Sequence, residues 1–194
     1  MDTNAPKSAS LEEGPSSLAP AVTEGSCTGA TNSRCIVLEI FAGSCRLSKA
    51  CRGLGLEAVA VDHTSQRSEN FPIFQADLTN DEDVRRVIEY IDVEAGNLLH
   101  AHFAPACGTA SRARGRPIPG EDPSKGPQPL RSEAYPNGLP GLPPSQQERV
   151  DKANKCYAAT AILVRHLIAL GVSVSIENPK NSFFWLCTPI RELL

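Results

Sequence analysis

The 194-residue sequence predicts an α/β domain built on a doubly wound, mainly parallel sheet. Two observations predict this class. Short apolar runs typical of buried strands alternate with amphipathic segments of helical period, and most of these runs end at a small or acidic residue. Ligands bind beyond the carboxyl ends of the strands in such sheets, so the residues that follow the runs are the first candidates for a site.

Composition divides the chain into a tail over 1–33 and a domain over 34–194. The first part is rich in Ser, Ala, Gly and Pro and lacks aromatic residues, which predicts disorder. It also carries four acids against one lysine, which equals the net charge of −3 of the whole chain. The domain is therefore neutral overall, and any contact with nucleic acid must come from a local basic patch.

The first half of the domain predicts strands and helices in alternation. Its opening run is apolar apart from Glu39, as in a strand covered on both faces. The second helix has an acidic first turn, and Thr79 or Asn80 can cap it. The predicted elements are strands over 35–41, 57–62 and 71–77 and helices over 45–55 and 79–91.

The second half contains a strand over 97–105, a proline-rich loop over 112–144, a long helix over 145–171 and a last strand that ends at Glu177. Nine of the 16 prolines lie in the loop. Ser145 and Glu148 have the spacing of a capping box for the long helix. The apolar stripe of that helix is predicted to comprise Val150, Ala153, Tyr157, Ala161, Val164 and Ile168.

The seven cysteines indicate the compartment. An odd number without a secretory signal favours reduced thiols in an intracellular compartment. Both the nucleus and the cytoplasm agree with this pattern. No Cys-x-x-Cys pair is present, so we expect no metal site. The longest apolar stretch is interrupted by Arg165, His166 and Gly171, so we expect no membrane span.

Candidate site residues follow three of the strands. Gly43 after the first strand permits a tight turn and close approach of a ligand, although it also suits an ordinary turn. Asp62, about 20 residues further on, can accept hydrogen bonds from ribose hydroxyls, or it is a solvated loop acid. Asp77 ends the third strand and can bind an adenine amino group, or it is a helix-initiating acid. Neither dinucleotide nor phosphate-binding glycine motifs are present.

Cys107 lies where the fourth strand opens into a basic loop. Positive charge lowers the pKa of a thiol, and Arg112, Arg114 and Arg116 follow shortly, so a nucleophilic role competes with that of a buried structural thiol. Glu177 leaves a strand that we expect to be buried. A carboxyl group there can carry a raised pKa and donate a proton, or it can serve as a cap.

Taken together, these motifs resemble the cytosine-5 DNA methyltransferases over residues 35–185. LEIFAGSCRLSKACRGLGLEAVAVDH resembles the first motif and the acid of the second, QADL is similar to the third, PACGTASRARG resembles the Pro-Cys motif, and SIENP resembles the Glu-Asn-Val motif. The resemblance implies a Rossmann-like methyltransferase fold that is incomplete at its C-terminal end.

The resemblance also implies roles. Cys107 adds to C6 of a flipped cytosine, Glu177 is the acid at N3 and Asn178 orients the site. The cofactor is S-adenosylmethionine and the substrate is DNA, with target recognition left to a further domain or chain. The residues implied for the cofactor are Phe41, Ala42, Gly43, Asp62, Asp77 and Leu78, and those implied for the substrate are Ser111, Arg112 and Arg114.

Several positions depart from the family pattern. Cys45 replaces a glycine of the first motif, Ala106 rather than proline precedes Cys107, and Pro179 replaces valine after Glu-Asn. Three alternatives therefore stay open. The chain is a catalytically silent module that binds cofactor or nucleic acid, for example a remnant of a mobile element, or it methylates an exocyclic amine, or it is a cysteine hydrolase.

Overall fold

The computed structural model describes residues 34–64, 71–116, 118–120, 122 and 126–194. A five-stranded sheet has the order β3-β2-β1-β4-β5, and every pair of neighbours is parallel. The predicted tail over 1–33 lies outside the described residues. The strands are β1 (Ile36–Ile40), β2 (Glu57–Asp62), β3 (Ile73–Gln75), β4 (Leu98–Phe103) and β5 (Ser173–Ile176).

Helices cover both faces of the sheet, which confirms the doubly wound α/β class. Alternate residues of β1 point to opposite faces: Leu38 packs with the residues of α2 and α3, whereas Val37 packs with Cys51 of α1. All five residues of β1 are buried, as the sequence predicts for a strand covered on both sides. The helices are α1 (Arg46–Gly53), α2 (Asp81–Glu94), α3 (Pro144–Ala169) and α4 (Thr188–Arg191), and short 3₁₀ helices span Arg112–Gly115 and Phe183–Leu186.

Glu39 is the polar exception in β1, and the start of α1 explains it. The residue that precedes this helix, Cys45, makes no capping hydrogen bond with its side chain. Instead, Oε2 of the buried Glu39 accepts a hydrogen bond from the Ser48 backbone N–H at 2.7 Å. A carboxylate at a helix N-terminus also interacts favourably with the helix dipole, so a strand residue stabilises the first turn of the neighbouring helix.

The start of α3 differs from the prediction. The helix begins at Pro144, preceded by Pro143, and no side-chain cap is present, so the expected capping box of Ser145 and Glu148 is wrong. Proline fixes a helical φ at the first position, which starts the helix one residue early and leaves Ser145 inside it. Glu148 instead forms an ion pair with Lys152 one turn further on, with 2.9 Å between Oε1 and Nζ.

Two further predictions about burial are wrong. Ile168 is 60 % exposed, because the buried stripe near the end of α3 runs through Leu163 and Leu167 instead. The last strand ends at Ile176 rather than Glu177, and β5 is half-exposed because it forms the edge of the sheet next to β4. Asn80 does cap α2, since its side chain accepts a hydrogen bond from the Glu82 N–H.

The segment before α3 is fixed to the domain by a buried arginine. The side chain of Arg131 is 1 % exposed, and its N–H groups donate to Thr109, Pro136, Val150 and Asn154. The segment over 126–143 therefore lies against α3 and the loop that follows β4. None of the described helices is both long enough and apolar enough to cross a membrane.

Candidate functional site

The carboxyl ends of β1, β2 and β4 meet at one edge of the sheet. The chain leaves β1 toward β2 on one side, while β4 lies on its other side, so this edge contains the point where the strand order reverses. In open parallel sheets the crevice at such a point is the usual ligand site. A cavity of about 490 Å³ opens there.

Five of the six residues implied for the cofactor line this cavity. The sixth, Ala42, is buried between two of them and is not part of the lining. The lining also includes Lys152 and Cys156, which lie one turn apart on α3, and Ala104 and Ala106, which follow β4. The five expected residues are Phe41, Gly43, Asp62, Asp77 and Leu78.

The turn after β1 has an unusual backbone. Phe41, Gly43 and Cys45 have φ values of 62°, 52° and 55°, in the left-handed region that favours glycine. Nothing lies within 4 Å of where a Cβ of Gly43 would be, so this glycine is needed for its φ and not for space. Two non-glycine residues in this conformation indicate local strain, which is typical of ligand-binding turns.

Asp62 connects this turn to the end of β2. Its buried carboxylate accepts a hydrogen bond from the Gly43 N–H through Oδ2 at 2.8 Å, and Oδ1 accepts from the Thr64 N–H at 3.2 Å. Nδ1 of His63 lies 2.9 Å from the same Oδ1. The carboxylate is thus held in place, and Oδ2 retains acceptor capacity toward the cavity that it lines.

Asp77 is held more loosely at the end of β3. It is exposed, and its Oδ1 accepts hydrogen bonds from the N–H and the hydroxyl of Thr79 at 3.0 and 2.8 Å. Its own N–H donates to Asp83 Oδ2 at 2.8 Å, and this bond lowers the pKa of Asp83. Asp77 therefore starts the turn into α2 and also lines the cavity.

Lys152 and Cys156 were not among the residues expected at this site. Their spacing of four on a helix places them on one face, but only the fold brings that face to the cavity. Burial, followed by the negative charge of Asp77, raises the pKa of Cys156 to about 11. This thiol is accordingly protonated near neutral pH and unsuited to act as a nucleophile.

Cys107 lies in a turn just beyond the cavity. It is half-buried, and its carbonyl accepts hydrogen bonds from the N–H groups of Ala110 and Ser111 at 2.9 and 2.8 Å. The hydroxyl of Tyr157 donates to the Ala106 carbonyl at 2.9 Å, so the chain before the thiol is fixed against α3. Cys107 itself is not among the residues that line the cavity.

Glu177 and Asn178 directly follow β5, the strand that pairs with β4. Asn178 is 9 % exposed, and its Nδ2 donates to the Pro105 carbonyl at 2.9 Å, which ties the β5 end to the segment before Cys107. Its Oδ1 is buried and has no hydrogen-bond partner among the described residues. Glu177 is exposed, so the expectation of a carboxyl group leaving a buried strand is wrong; the strand before it is a sheet edge.

The residues implied for the substrate bind neighbouring loops. Ser111 accepts a hydrogen bond from the Ala113 N–H at 3.2 Å and caps the short 3₁₀ helix. Arg112 forms an ion pair with Glu133 at 2.6 Å. Nε of Arg114 donates to the Gln128 carbonyl at 2.8 Å, and burial, followed by the charge of Arg149, lowers the pKa of its guanidinium.

Comparison with known proteins adds little to this geometry. The chain matches no family model and no curated protein. A crystal structure of the UDP-glucose 4-epimerase of Thermus thermophilus in complex with NAD is similar to it with a TM-score of 0.35 and 15 % identity, over 73 % of this chain and 53 % of that chain. The chain thus spans about half the length of that structure, and a similarity this low carries no argument. What the topology defines is an α/β domain with a Rossmann-like sheet.

Proposed function

We propose that this domain binds a nucleotide-type cofactor, S-adenosylmethionine, and transfers a methyl group to C5 of cytosine in DNA. The observation that carries the proposal is the cavity of about 490 Å³ at the reversal of strand order, lined by five of the six residues that the resemblance implies for the cofactor. Two of these residues, Asp62 and Asp77, are carboxylates that line the cavity and can accept further hydrogen bonds.

The residues present fit such a cofactor. Asp62 would accept hydrogen bonds from ribose hydroxyls and Asp77 from the adenine amino group, while Phe41 and Leu78 would supply apolar contacts. Gly43 would keep the left-handed turn that borders the cofactor, because glycine adopts its φ of 52° without strain. When bound, the cofactor supplies an electrophilic methyl group.

Covalent catalysis by Cys107 accounts for the rest of the proposed reaction. The thiolate would add to C6 of the pyrimidine, and a proton donor at N3, assigned by resemblance to Glu177, would stabilise the adduct and make C5 nucleophilic. After methylation, loss of the C5 proton would allow the thiolate to leave. Asn178 would act as a positioning residue, since it holds the end of β5 to Pro105.

A second candidate is a domain that binds the cofactor without turnover. Two observations favour it: Cys107 does not line the cavity, and Glu177 is exposed. In that case cofactor binding would persist while no covalent adduct with cytosine forms.

A trapping experiment separates the two candidates. We expect an oligonucleotide containing 5-fluorocytosine to become covalently attached through Cys107 in the presence of S-adenosylmethionine, because fluorine at C5 blocks release of the thiolate. Cys107→Ser should abolish trapping and turnover but retain cofactor binding. Cys35→Ser, at another half-buried free thiol, is the matched control.

The readouts are denaturing electrophoresis for the adduct and calorimetry for the cofactor. Cofactor binding without an adduct would support the silent domain, and methyl transfer that survives Cys107→Ser would favour methylation of an exocyclic amine. A chain that binds no S-adenosylmethionine would overturn both candidates.

A further inference from the structure

A second cavity lies beside the loop that follows Cys107. Its volume is about 560 Å³, and it shares no lining residue with the cavity at the strand ends. One wall comes from the loop after β4, the opposite wall from the segment over 129–134 together with Leu139, and Phe183 closes a third side. The proline-rich segment, which the resemblance does not explain, therefore forms half of a cavity.

Three side chains give this cavity its chemical character. The guanidinium of Arg112 lies 4.5 Å from the centre of the Phe183 ring, a cation–π contact that holds it against an apolar surface. Its Nε donates to the Asn181 carbonyl at 2.9 Å, and one terminal nitrogen donates to Oε1 of Glu133 at 2.6 Å. The guanidinium is thus fixed from two sides.

Both charged groups keep capacity for a ligand. The Arg112 side chain is 43 % exposed and that of Glu133 is 72 % exposed. The guanidinium has further N–H donors and a free face, and Oε2 of Glu133 has no partner among the described residues. A planar cation stacked on an aromatic ring, next to an open carboxylate, presents a donor, an acceptor and a stacking surface together.

We propose that this cavity binds an unpaired guanine base of a nucleic acid. The base would stack on the free face of Arg112, as bases stack on arginine planes and aromatic rings in single-strand recognition. Glu133 would accept from the two adjacent donors of guanine, N1–H and the N2 amino group.

Guanine fits better than the other bases because of its pair of adjacent donors. Adenine, cytosine and thymine each offer a single donor group on that edge, so they leave one carboxylate oxygen unpaired. In a duplex the same edge of guanine is occupied by cytosine, so the site selects unpaired guanine.

This inference rests on the nucleic-acid substrate of the proposed function and gives the proline-rich segment a role in it. Cys107 and the cavity lie at the two ends of one short loop, because Thr109, Ser111 and Arg112 line the cavity. A guanine held there would fix the position of neighbouring nucleotides relative to the thiol. Specificity for the bases around a target would thus come from this segment.

The test compares single-stranded oligonucleotides that differ at one base. Fluorescently labelled oligothymidylate carrying one central guanine, hypoxanthine or adenine is titrated with the full-length protein, and binding is followed by anisotropy. We expect guanine to bind about tenfold more tightly than hypoxanthine, which lacks only the N2 amino group, or adenine. Pairing the guanine with a complementary strand should remove the preference, and guanosine monophosphate as competitor shows whether the free nucleotide suffices.

Two variants identify the groups responsible. Glu133→Gln should abolish the preference for guanine over hypoxanthine, whereas Glu82→Gln removes the carboxylate of another exposed ion pair, with Arg85, and should leave it intact. Phe183→Leu should weaken binding of every oligonucleotide because it removes the ring that holds Arg112, on which the base stacks.

Each outcome decides the inference. Equal affinity of the unmodified protein for guanine and hypoxanthine overturns it, and so does a preference that survives Glu133→Gln. Absence of oligonucleotide binding together with intact binding of S-adenosylmethionine overturns the guanine site alone. Guanine preference in a protein that does not bind S-adenosylmethionine overturns the proposed function and leaves the guanine site standing.

Discussion

Asp62 orders the backbone and also faces a ligand cavity. Its carboxylate fixes Gly43 in a left-handed turn and lines the cavity at the same time. Because two backbone N–H groups donate to it and His63 lies beside it, the carboxylate is already oriented before any ligand arrives, which reduces the ordering cost of binding.

Removal of this carboxylate should weaken cofactor binding. We expect Asp62→Ala to weaken S-adenosylmethionine binding by about 1–3 kcal/mol, because ribose hydrogen bonds are lost and the Gly43 turn is released. The affinity of Asp62→Asn for S-adenosylmethionine should lie between those of the unmodified protein and Asp62→Ala, since an amide keeps only one acceptor oxygen. Calorimetry measures the affinities, with Asp92→Ala on α2 as a control away from the cavity. Unchanged affinity in Asp62→Ala would contradict this role.

Some positions of the site residues could be predicted from the sequence and others could not. Asp62 and Asp77 could be assigned to one edge, because the ends of parallel strands must meet there once the strand order is known. Exposure of Glu177 could not be predicted, since its run of apolar residues fits a buried strand and an edge strand equally well. The contacts of Arg112 with Glu133 and Phe183 depend on loops that meet only in the folded chain.

At the scale of elements, the periodicity of apolar residues predicts the helices and strands, and the residues at the end of each element decide its boundaries. The start of α3 illustrates this: Ser145 and Glu148 have the right spacing for a cap, but the proline beside them sets the helix start instead. The proline-rich segment illustrates what the sequence does not predict. Its deeply buried charged group, Arg131, donates hydrogen bonds to residues from three parts of the chain: the loop after β4, its own segment and α3.

Arg131 should determine whether the segment over 126–143 stays packed against α3 and the loop after β4. We expect Arg131→Met, which keeps the chain length but removes the donors, to lower the free energy of unfolding by on the order of 3 kcal/mol, because several buried oxygens lose their partner. The segment should also become sensitive to limited proteolysis before the domain unfolds. Arg191→Met, at the exposed end of α4, is the matched control and should change neither measurement. Equal stability and equal protection in Arg131→Met would contradict this role.

For the whole molecule, hydrogen bonds between β4 and β5 make stability depend on pH. The Ser173 hydroxyl donates to the Leu99 carbonyl, so it accepts from Nδ1–H of His100, and Nε2 of His100 then accepts from the hydroxyl of Ser175. His102 completes the chain through its Nδ1 at 2.8 Å from the same serine oxygen. The edge of the sheet is therefore held by a neutral His100 whose two nitrogens have opposite roles.

Acid should weaken the fold in two stages. Burial, followed by the charge of His102, lowers the pKa of His100 below its ordinary value of 6.5, so its contribution to stability is present above pH 6.5 and is lost as the pH falls toward the folded-state pKa. The pKa values of Glu57 and Asp83 are lowered as well, by hydrogen bonds from Arg34 and from the Asp77 N–H respectively. Their contributions are complete above about pH 4.5 and 3.8 and are lost as the pH falls from there toward the folded-state pKa values.

His100→Gln isolates the first stage, because glutamine can donate and accept hydrogen bonds at this position without titrating. We expect urea denaturation at constant ionic strength to give the natural sequence a lower free energy of unfolding at pH 5.5 than at pH 7.5, and the variant a smaller difference. Both proteins should lose stability alike below pH 4.5, where the carboxylates become protonated. The same loss in both proteins between pH 7.5 and 5.5 would show that protonation of this imidazole does not control the edge of the sheet.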